Sequence, residues 1–170
     1  EWYVAYATTY SSDQLSKVNA ISFMATDVLG VSAYGINQSS STEPEWVTIP
    51  STSSFGYVFD NITANGTYYI WVKDSGGNIS NQSVVVNNID TIAPTGSVSA
   101  SFSGGVISAS ITASDTGSGV NNTYGWSMST NSTCDSSVLF TDSSNNPYTF
   151  IPGTDGTYYV CTRVSDNAGN

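Results

Sequence analysis

The sequence predicts an all-β protein made of two tandem β-sandwiches. Short segments alternate apolar and polar side chains, and clusters of Gly, Asn, Asp or Pro separate them. One phrase also occurs twice, because Gly66-Thr67-Tyr68-Tyr69 is matched by Gly156-Thr157-Tyr158-Tyr159, 90 positions later. A period of that length fits a whole small domain, so we interpret the repeat as a domain duplication.

Each copy contains a series of predicted strands in the order of a sandwich. In the first copy they lie near residues 2–10, 18–26, 31–37, 46–49, 55–60, 67–73 and 80–86. In the second copy they lie near residues 96–102, 106–113, 122–129, 138–141, 148–151 and 157–164. The second copy stops at Asn170, which matches Asn78, so we expect that sandwich to lack its last strand within this chain.

Charge is sparse and one-sided, which limits the partners to expect. Lys17, Lys73 and Arg163 stand against 13 Asp and Glu residues, for a net charge of −10. Nucleic acids and anionic membrane surfaces are bound by clustered Lys and Arg, so neither is an expected partner. No apolar run approaches the ~20 residues of a membrane-spanning helix, and we expect no membrane insertion.

The absence of His restricts the chemistry that this chain could perform. Without His there is no Ser-His-Asp triad, no Cys-His dyad and no imidazole ligand for zinc. Two carboxylates could hydrolyse a glycosidic bond, but nothing in the sequence marks such a pair. We therefore expect no enzyme activity and no cofactor, apart from the calcium considered below.

The copies match beyond the tyrosine phrase, and a short connector joins them. Residues 25–27 (ATD) match residues 113–115 (ASD), and residues 34–36 (YGI) match residues 124–126 (YGW). The connector, residues 90–94, ends in Pro94, which fixes one φ angle and favours a semi-rigid joint. The expected domains are therefore residues 1–89 and 95–170, with the linker 90–94 between them.

These motifs resemble a known family. The phrases GTYYIWVKDSGGN and GTYYVCTRVSDNAGN, with DTIAPTGSV and SDTGSGV between them, are similar to the bacterial Ig-like repeat domains of large cell-surface, adhesin-type proteins. The resemblance covers both copies, although residues 1–12 lack the Asp-x-x-Ala-Pro opening. It implies tandem immunoglobulin-like sandwiches in an extracellular stalk, fibre or adhesin, but identifies no ligand.

The repeated strand predicts which side chains face the core. If Lys73 faces water, alternation places Tyr69 and Trp71 on the same outer face and Tyr68, Ile70 and Val72 on the core face. In the second copy the core-facing residues become Tyr158, Val160, Thr162 and Val164, and Cys161 points outward. The alternative is a tyrosine corner like that of antibody domains, which would turn Tyr159 and Cys161 inward.

The two cysteines predict one disulfide and an oxidising location. Cys134 and Cys161 lie 27 residues apart, which is too close for the usual inter-sheet pair of antibody domains. We predict that they join the loop after the third strand to the sixth strand, for ~3 kcal/mol of stabilisation in the loop-entropy model. The alternative is two free, buried thiols.

Seven Asn-x-Ser/Thr sequons make glycosylation a candidate modification. All of them lie in predicted loops or at strand ends, although a chain rich in Asn, Ser and Thr also produces some by chance. The sites are Asn37, Asn61, Asn65, Asn78, Asn81, Asn121 and Asn131.

Calcium is the candidate bound ion. In a sandwich, the start of the first strand, the second-to-third loop and the sixth-to-seventh loop share one pole. In the second copy this gathers Asp90, Asp115 and Asp166, with Asn167 nearby, at the inter-domain joint that the loop 60–65 approaches from the first domain. Ca²⁺ takes six to eight oxygen ligands from such groups. The alternative is that these side chains cap their own turns.

The N-terminal segment is a candidate donor strand. An open sandwich exposes a bare strand edge, which natural proteins avoid. Either the chain is a window on a longer array and the strand lies outside it, or a neighbouring copy supplies the missing strand. The segment from Glu1 to Tyr10 has the required alternation, with Trp2, Val4 and Tyr6 on one face. Such contacts would propagate head-to-tail into a filament of copies of this chain.

Two functions are therefore carried forward. The first is a structural subunit or segment of an extracellular surface filament or stalk. The second is an adhesin or a carbohydrate-binding module of a secreted protein, which would recognise glycans or a host or cell surface. Exposed Trp side chains on one face would favour the second function, whereas burial of Trp2, Trp46, Trp71 and Trp126 would favour the first.

Overall fold

The computed structural model describes residues 3–7, 15–134 and 137–170. It divides into two compact units, Glu1–Ile89 and Asp90–Asn170, which we call unit 1 and unit 2. All named strands pair antiparallel and no helix occurs among the described residues, so the predicted all-β class is confirmed. In that part of the chain, accordingly, no helical segment of membrane-spanning length and hydrophobicity is found.

Unit 1 has five strands around one long central strand. They are β1 (Tyr3–Ala7), β2 (Asn19–Asn37), β3 (Val47–Ile62), β4 (Gly66–Asp74) and β5 (Ile79–Val86). The order is β1-β2-β4-β5, and β3 also pairs with β2. β2 and β3 each merge two predicted strands, because β2 shifts register between Thr26 and Val31, where Gly30 has a φ of +90°, instead of ending there.

Unit 2 has six strands in two sheets. They are β6 (Thr95–Ser103), β7 (Val106–Ser114), β8 (Tyr124–Ser129), β9 (Thr141–Ser143), β10 (Tyr148–Phe150) and β11 (Tyr159–Arg163). The sheet orders are β10-β7-β6 and β11-β8-β9. The strand predicted at 138–141 is displaced to β9, because pairing with β8 begins at Thr141 whereas Leu139 is 90% exposed.

The core of unit 1 is larger than that of unit 2. In unit 1, eleven buried residues form one cluster, in which Phe23 and Tyr34 contact the rings of Phe55 and Phe59. In unit 2, three buried residues form the cluster, and Trp126 stacks on Tyr148 from the other sheet with ring centroids 5.5 Å apart. Side chains of both sheets therefore share one core, as in a sandwich.

The predicted faces of the repeated strand are correct, but the outer face is covered. Ile70 and Val72 lie in the core, and Val160 and Val164 pack against the core of unit 2. Trp71, on the opposite face, is only 6% exposed, and Cys161 at the matching position is 1% exposed. Alternation predicts which face a side chain takes, but it does not predict what lies over that face.

The alternative in which Tyr159 turns inward is wrong. Tyr159 is 41% exposed, and the hydroxyl bond of a tyrosine corner is made by the preceding residue. The Tyr158 hydroxyl donates to the Thr154 carbonyl at 2.9 Å, as the Tyr68 hydroxyl does to Ala64 in unit 1.

Candidate metal centre

Three aspartates of unit 2 converge at one pole of the sandwich. Asp90 precedes β6, Asp115 follows β7 and Asp166 follows β11. Each offers a carboxylate oxygen, and these three oxygens lie within 4.8 Å of one another. The structure thus brings together the three residues that the sequence assigned to one pole. No other such group of three acidic, Cys or His side chains is found among the described residues.

Asp166 is held by a turn that closes on Asn170. The Asn170 N–H donates to Asp166 Oδ1 and its side-chain amide to Oδ2, both at 2.7 Å. Gly169 has a φ of +89°, which favours glycine, and its N–H donates to the Asp166 carbonyl at 3.3 Å. Asn170 also donates to the Asp90 carbonyl at 2.9 Å, so one amide ties two of the aspartates together.

Asp90 belongs to unit 2 rather than to a linker. Its side chain accepts the N–H of Ile92 at 3.0 Å and the N–H of Ser118 at 2.7 Å, and it is 5% exposed. Gly117 lies so close that a Cβ at that position would collide with the Asp90 carboxylate. The expected linker 90–94 is therefore fixed to the loop after β7 at its first residue.

Asp115 differs from the other two aspartates in one oxygen. Its Oδ1 accepts the N–H groups of Gly117 at 3.0 Å and Gly119 at 2.8 Å. Its Oδ2 is buried and has no hydrogen-bond partner among the described residues. Burying a carboxylate oxygen without a partner costs free energy, and Asp115 Oδ2 is the one oxygen of the three aspartates in this state.

Hydrogen bonds keep two of the carboxylates acidic. The pKa of Asp90 lies below its ordinary value because the N–H groups of Ile92 and Ser118 donate to it. Burial raises the pKa of Asp166, as does the Asp90 charge to a lesser extent, but donation from Asn170 and Gly169 outweighs both and the net pKa is lowered. The site therefore keeps negative charge to acidic pH.

No basic side chain of unit 2 compensates this charge. Arg163 is the only Lys or Arg in the unit, and it forms an ion pair with Asp142 at 3.0 Å. A hard divalent cation such as Ca²⁺ is the ligand that three converging carboxylate oxygens suit. Hydrogen bonds from turns account for four of the six carboxylate oxygens and the Ser118 N–H for a fifth, which leaves Asp115 Oδ2 unexplained.

Sequence reasoning identified the aspartates but missed the residues that hold them. Asn167, the expected additional ligand, is exposed and donates its side-chain amide to the Ser118 carbonyl at 2.9 Å. Asn170, Gly117 and Ser118 were not singled out. The signal for Asn170 was present, since the spacing Asp-x-x-Gly-Asn occurs at both 74–78 and 166–170.

The predicted disulfide is confirmed. Cys134 and Cys161 are bonded, with their Cα atoms 5.7 Å apart, and no free cysteine occurs among the described residues. The bond ties the segment after β8 to the outer face of β11. The alternative of two free thiols is wrong.

The seven sequons differ in whether their side-chain amide nitrogen is engaged. Four of them donate it within the chain, namely Asn37, Asn65, Asn78 and Asn81. The other three sites, Asn61, Asn121 and Asn131, make no such bond in the described part of the chain. A glycan replaces one hydrogen of this nitrogen, so the second group is the more compatible with modification.

The candidate donor segment is paired within its own unit. Residues 3–7 form β1 beside β2, from Tyr3 opposite Thr26 to Ala7 opposite Ser22. Val4 and Tyr6 lie in this pairing, whereas Trp2 is outside the described residues. The pairing counts against the donor role, because the segment already has a strand partner.

No protein-family model matches this chain, and no curated protein shows significant sequence similarity to it.

Proposed function

We propose that this chain is a structural segment of an extracellular surface filament or stalk built from immunoglobulin-like domains. The resemblance of the repeats to bacterial Ig-like domains supports this role. The disulfide is typical of oxidising compartments outside the cytosol, and the sequons are compatible with a secreted surface. The role assigned is mechanical, with no catalysis.

The observation that carries the proposal is that two structural features recur in both units, an Asp–Asn turn and a basic side chain over an aromatic ring. Asn78 closes on Asp74 through bonds of 2.8 and 2.6 Å, as Asn170 closes on Asp166. Lys73 lies over the Trp46 ring and Arg163 over the Phe140 ring, at 4.3 and 5.2 Å from the ring centroids. What duplication preserved is thus the framework of each unit, as expected for modules whose function is their shape.

The tryptophans also support a structural role over sugar binding. Trp71 and Trp126 are 6% and 1% exposed, so neither offers a face on which a sugar could stack. Trp46 is half-buried, and its ring is occupied by Lys73. The alternative of an adhesin or carbohydrate-binding module therefore has no aromatic platform among these three residues.

Immunogold electron microscopy of native cells tests the structural role. We expect antibodies against this chain to label surface fibres or stalks at regular intervals. Label confined to dispersed, secreted monomers would contradict the proposal. Binding of the purified chain to a glycan array, lost on substitution of Trp46, would instead favour the carbohydrate-binding alternative.

We further propose that Asp90, Asp115 and Asp166 bind Ca²⁺ and stiffen unit 2. The specific support is the buried, unpartnered Oδ2 of Asp115. After EDTA treatment, Ca²⁺ should raise the melting temperature of unit 2, since a ligand at 100 times its Kd contributes about 2.7 kcal/mol. Asp115→Asn should abolish this gain while keeping the Oδ1 acceptor that caps the turn.

Unit 1 supplies a matched control for that experiment. Asp27 corresponds to Asp115 in the repeat, and its Oδ1 accepts the Leu29 N–H at 2.7 Å. Asp27→Asn should leave the response to Ca²⁺ unchanged. Absence of any Ca²⁺-dependent shift in the unsubstituted protein, or an equal response in both variants, would leave turn capping as the sole role of the cluster.

A further inference from the structure

Tyr34 and Tyr57 form the one contact between two tyrosine rings in the described part of the chain. Their ring centroids lie 4.7 Å apart, and the ring planes make an angle of 41°. In unit 2, Tyr124 and Tyr148 each contact the ring of Trp126, with centroids 6.2 and 5.5 Å apart. The tyrosine pair is therefore not repeated at Tyr124, which occupies the position of Tyr34 in the second copy.

The pair joins two segments of unit 1 that strand pairing does not bring together. Tyr57 of β3 lies opposite Phe23 of β2. Tyr34 of β2 lies opposite Val47 of β3, on the other side of the register shifts. Both tyrosine rings also contact Phe59, so they meet in the aromatic part of the core. A covalent bond between the two rings would therefore connect the two halves of the β2–β3 hairpin.

The two tyrosines differ in exposure. Tyr34 is 6% exposed, whereas Tyr57 is 43% exposed. Burial raises the pKa of Tyr34 above its ordinary value, and the charge of Tyr57 and a side-chain hydrogen bond to Tyr57 raise it further. Tyr34 is therefore kept as the neutral phenol, which can donate its O–H to the other hydroxyl. An oxidant in solution reaches Tyr57 directly and Tyr34 only through Tyr57.

We propose that Tyr34 and Tyr57 are a crosslinking site, at which a peroxide, acting through a peroxidase, joins the two rings as dityrosine. The product stabilises unit 1 as the Cys134–Cys161 disulfide stabilises unit 2, since a covalent link between distant segments restricts the unfolded chain. This inference goes beyond the structural role proposed above, which would stand if no crosslink formed.

The hydrogen-bonded hydroxyl groups give the reaction its route. Tyr57 loses one electron and one proton to the oxidant, and the resulting phenoxyl radical takes the hydrogen atom of the Tyr34 hydroxyl. A second one-electron oxidation with loss of a proton makes Tyr57 a radical again. A C–C bond then forms between ring carbons beside the two hydroxyl groups, and the hydrogens of these carbons move to the oxygens as protons. The peroxide takes up two electrons and two protons and leaves as two water molecules.

Treatment of the intact chain with hydrogen peroxide and a haem peroxidase tests the site. The monomer should lose the mass of two hydrogen atoms and gain the blue fluorescence of dityrosine. After reduction and proteolysis, mass spectrometry should find the peptide containing Tyr34 linked to the peptide containing Tyr57. The same treatment in urea should lose this link, because unfolding separates the two rings.

Variants locate the reacting residues. Tyr34→Phe and Tyr57→Phe should each abolish the link within the chain, because phenylalanine forms no phenoxyl radical. Tyr159→Phe is the matched control, since Tyr159 is 41% exposed, close to the exposure of Tyr57, and it should leave the yield unchanged. Tyr57→Phe removes only a partly exposed hydroxyl, so unit 1 should keep its protection from hydrogen exchange.

Several outcomes would overturn the proposal. They are the absence of the Tyr34–Tyr57 link in the folded chain, crosslinks that form only between chains, and an equal yield of the link in urea. The linked peptides should also occur in native material digested without added oxidant. Their absence there would show that this pair is not a modification site of the native protein.

Discussion

The two units cover the outer face of the same strand in different ways. In unit 1 the face carries Trp71, whose indole N–H donates to Asn37 Oδ1 at 3.0 Å. Pro44 and Glu45 lie against Gly35, the cross-strand neighbour of Trp71. In unit 2 the matching residue is Cys161, bonded to Cys134. One unit thus covers this face with a large side chain and a packed loop, and the other ties a loop to it covalently.

The way in which each unit covers this face correlates with the number of residues in its buried core. Unit 1 encloses a cluster of eleven buried residues and completes its sheet with β5. Unit 2 has three buried residues in its cluster and an entirely exposed β6. A small core supplies little net stability, and a disulfide is a common way to compensate. The comparison therefore teaches that the same repeated strand can be stabilised by burial in one unit and by a crosslink in the other.

The largest expected effect comes from Trp71. Replacing a buried Trp by Ala costs about 3–5 kcal/mol, so Trp71→Ala should lower the free energy of unfolding of unit 1 by that amount. Urea unfolding monitored by hydrogen exchange would report each unit separately. Trp46→Ala, which removes a half-buried ring, is the control and should cost less. If Trp71→Ala lost less than about 1 kcal/mol, burial of this face would not stabilise unit 1.

Loss of the disulfide should affect unit 2 alone. Closing this loop stabilises by about 2–4 kcal/mol, so dithiothreitol should lower the free energy of unfolding of unit 2 and leave unit 1 unchanged. The double variant Cys134→Ser/Cys161→Ser should reproduce the effect without reductant. An equal loss in both units would show that they unfold together and would break the comparison.

Acid should destabilise unit 2 more than unit 1. Hydrogen bonding lowers the pKa of Asp90 in unit 2, and the pKa of Asp166 is also lowered, where donation from Asn170 outweighs burial. In unit 1 the pKa of Asp74 is lowered, mainly by the Asn78 side chain. A carboxylate whose pKa is lower in the folded state than in the unfolded state stabilises the fold fully at pH values above its unfolded-state pKa. This stabilisation is lost as the pH falls through the folded-state pKa.

Melting curves in EDTA between pH ~5 and ~2 would measure this difference. Asn170→Ala should weaken the acid dependence of unit 2, and Asn78→Ala should weaken that of unit 1. Equal acid sensitivity of the two units, or no change in the Asn variants, would show that these turns do not set the pH dependence.

The smallest effect concerns glycans. Five sequons lie in unit 1 and two in unit 2. Of these, only Asn61 in unit 1 has its side-chain nitrogen unengaged, against Asn121 and Asn131 in unit 2. Glycopeptide mass spectrometry of native material should find these three sites modified ahead of the others. Full occupancy of Asn37 and Asn78 would contradict the preference.

Much of the fold was predictable because strands have a local sequence pattern, the alternation of apolar and polar side chains. The alternation around Ile70 and Val72 identified the core face, and the matching pair in unit 2 followed from the repeat. The strand prediction failed at 138–141, where the apolar run of Val138, Leu139 and Phe140 lies wholly outside β9. The neighbouring strand decides which residues of an apolar run form β-pairs.

The sequence by itself determined the all-β class, the repeated phrase, the disulfide partners and the three aspartates that meet at one pole. These depend on side-chain period, on self-similarity and on strand order, all of which a chain carries along its length. Only the tertiary structure decided that Asp90 joins unit 2, that Trp71 is buried on the outer face, and that Asn170 bridges two aspartates. Those facts depend on contacts between distant segments, whose geometry no local pattern specifies.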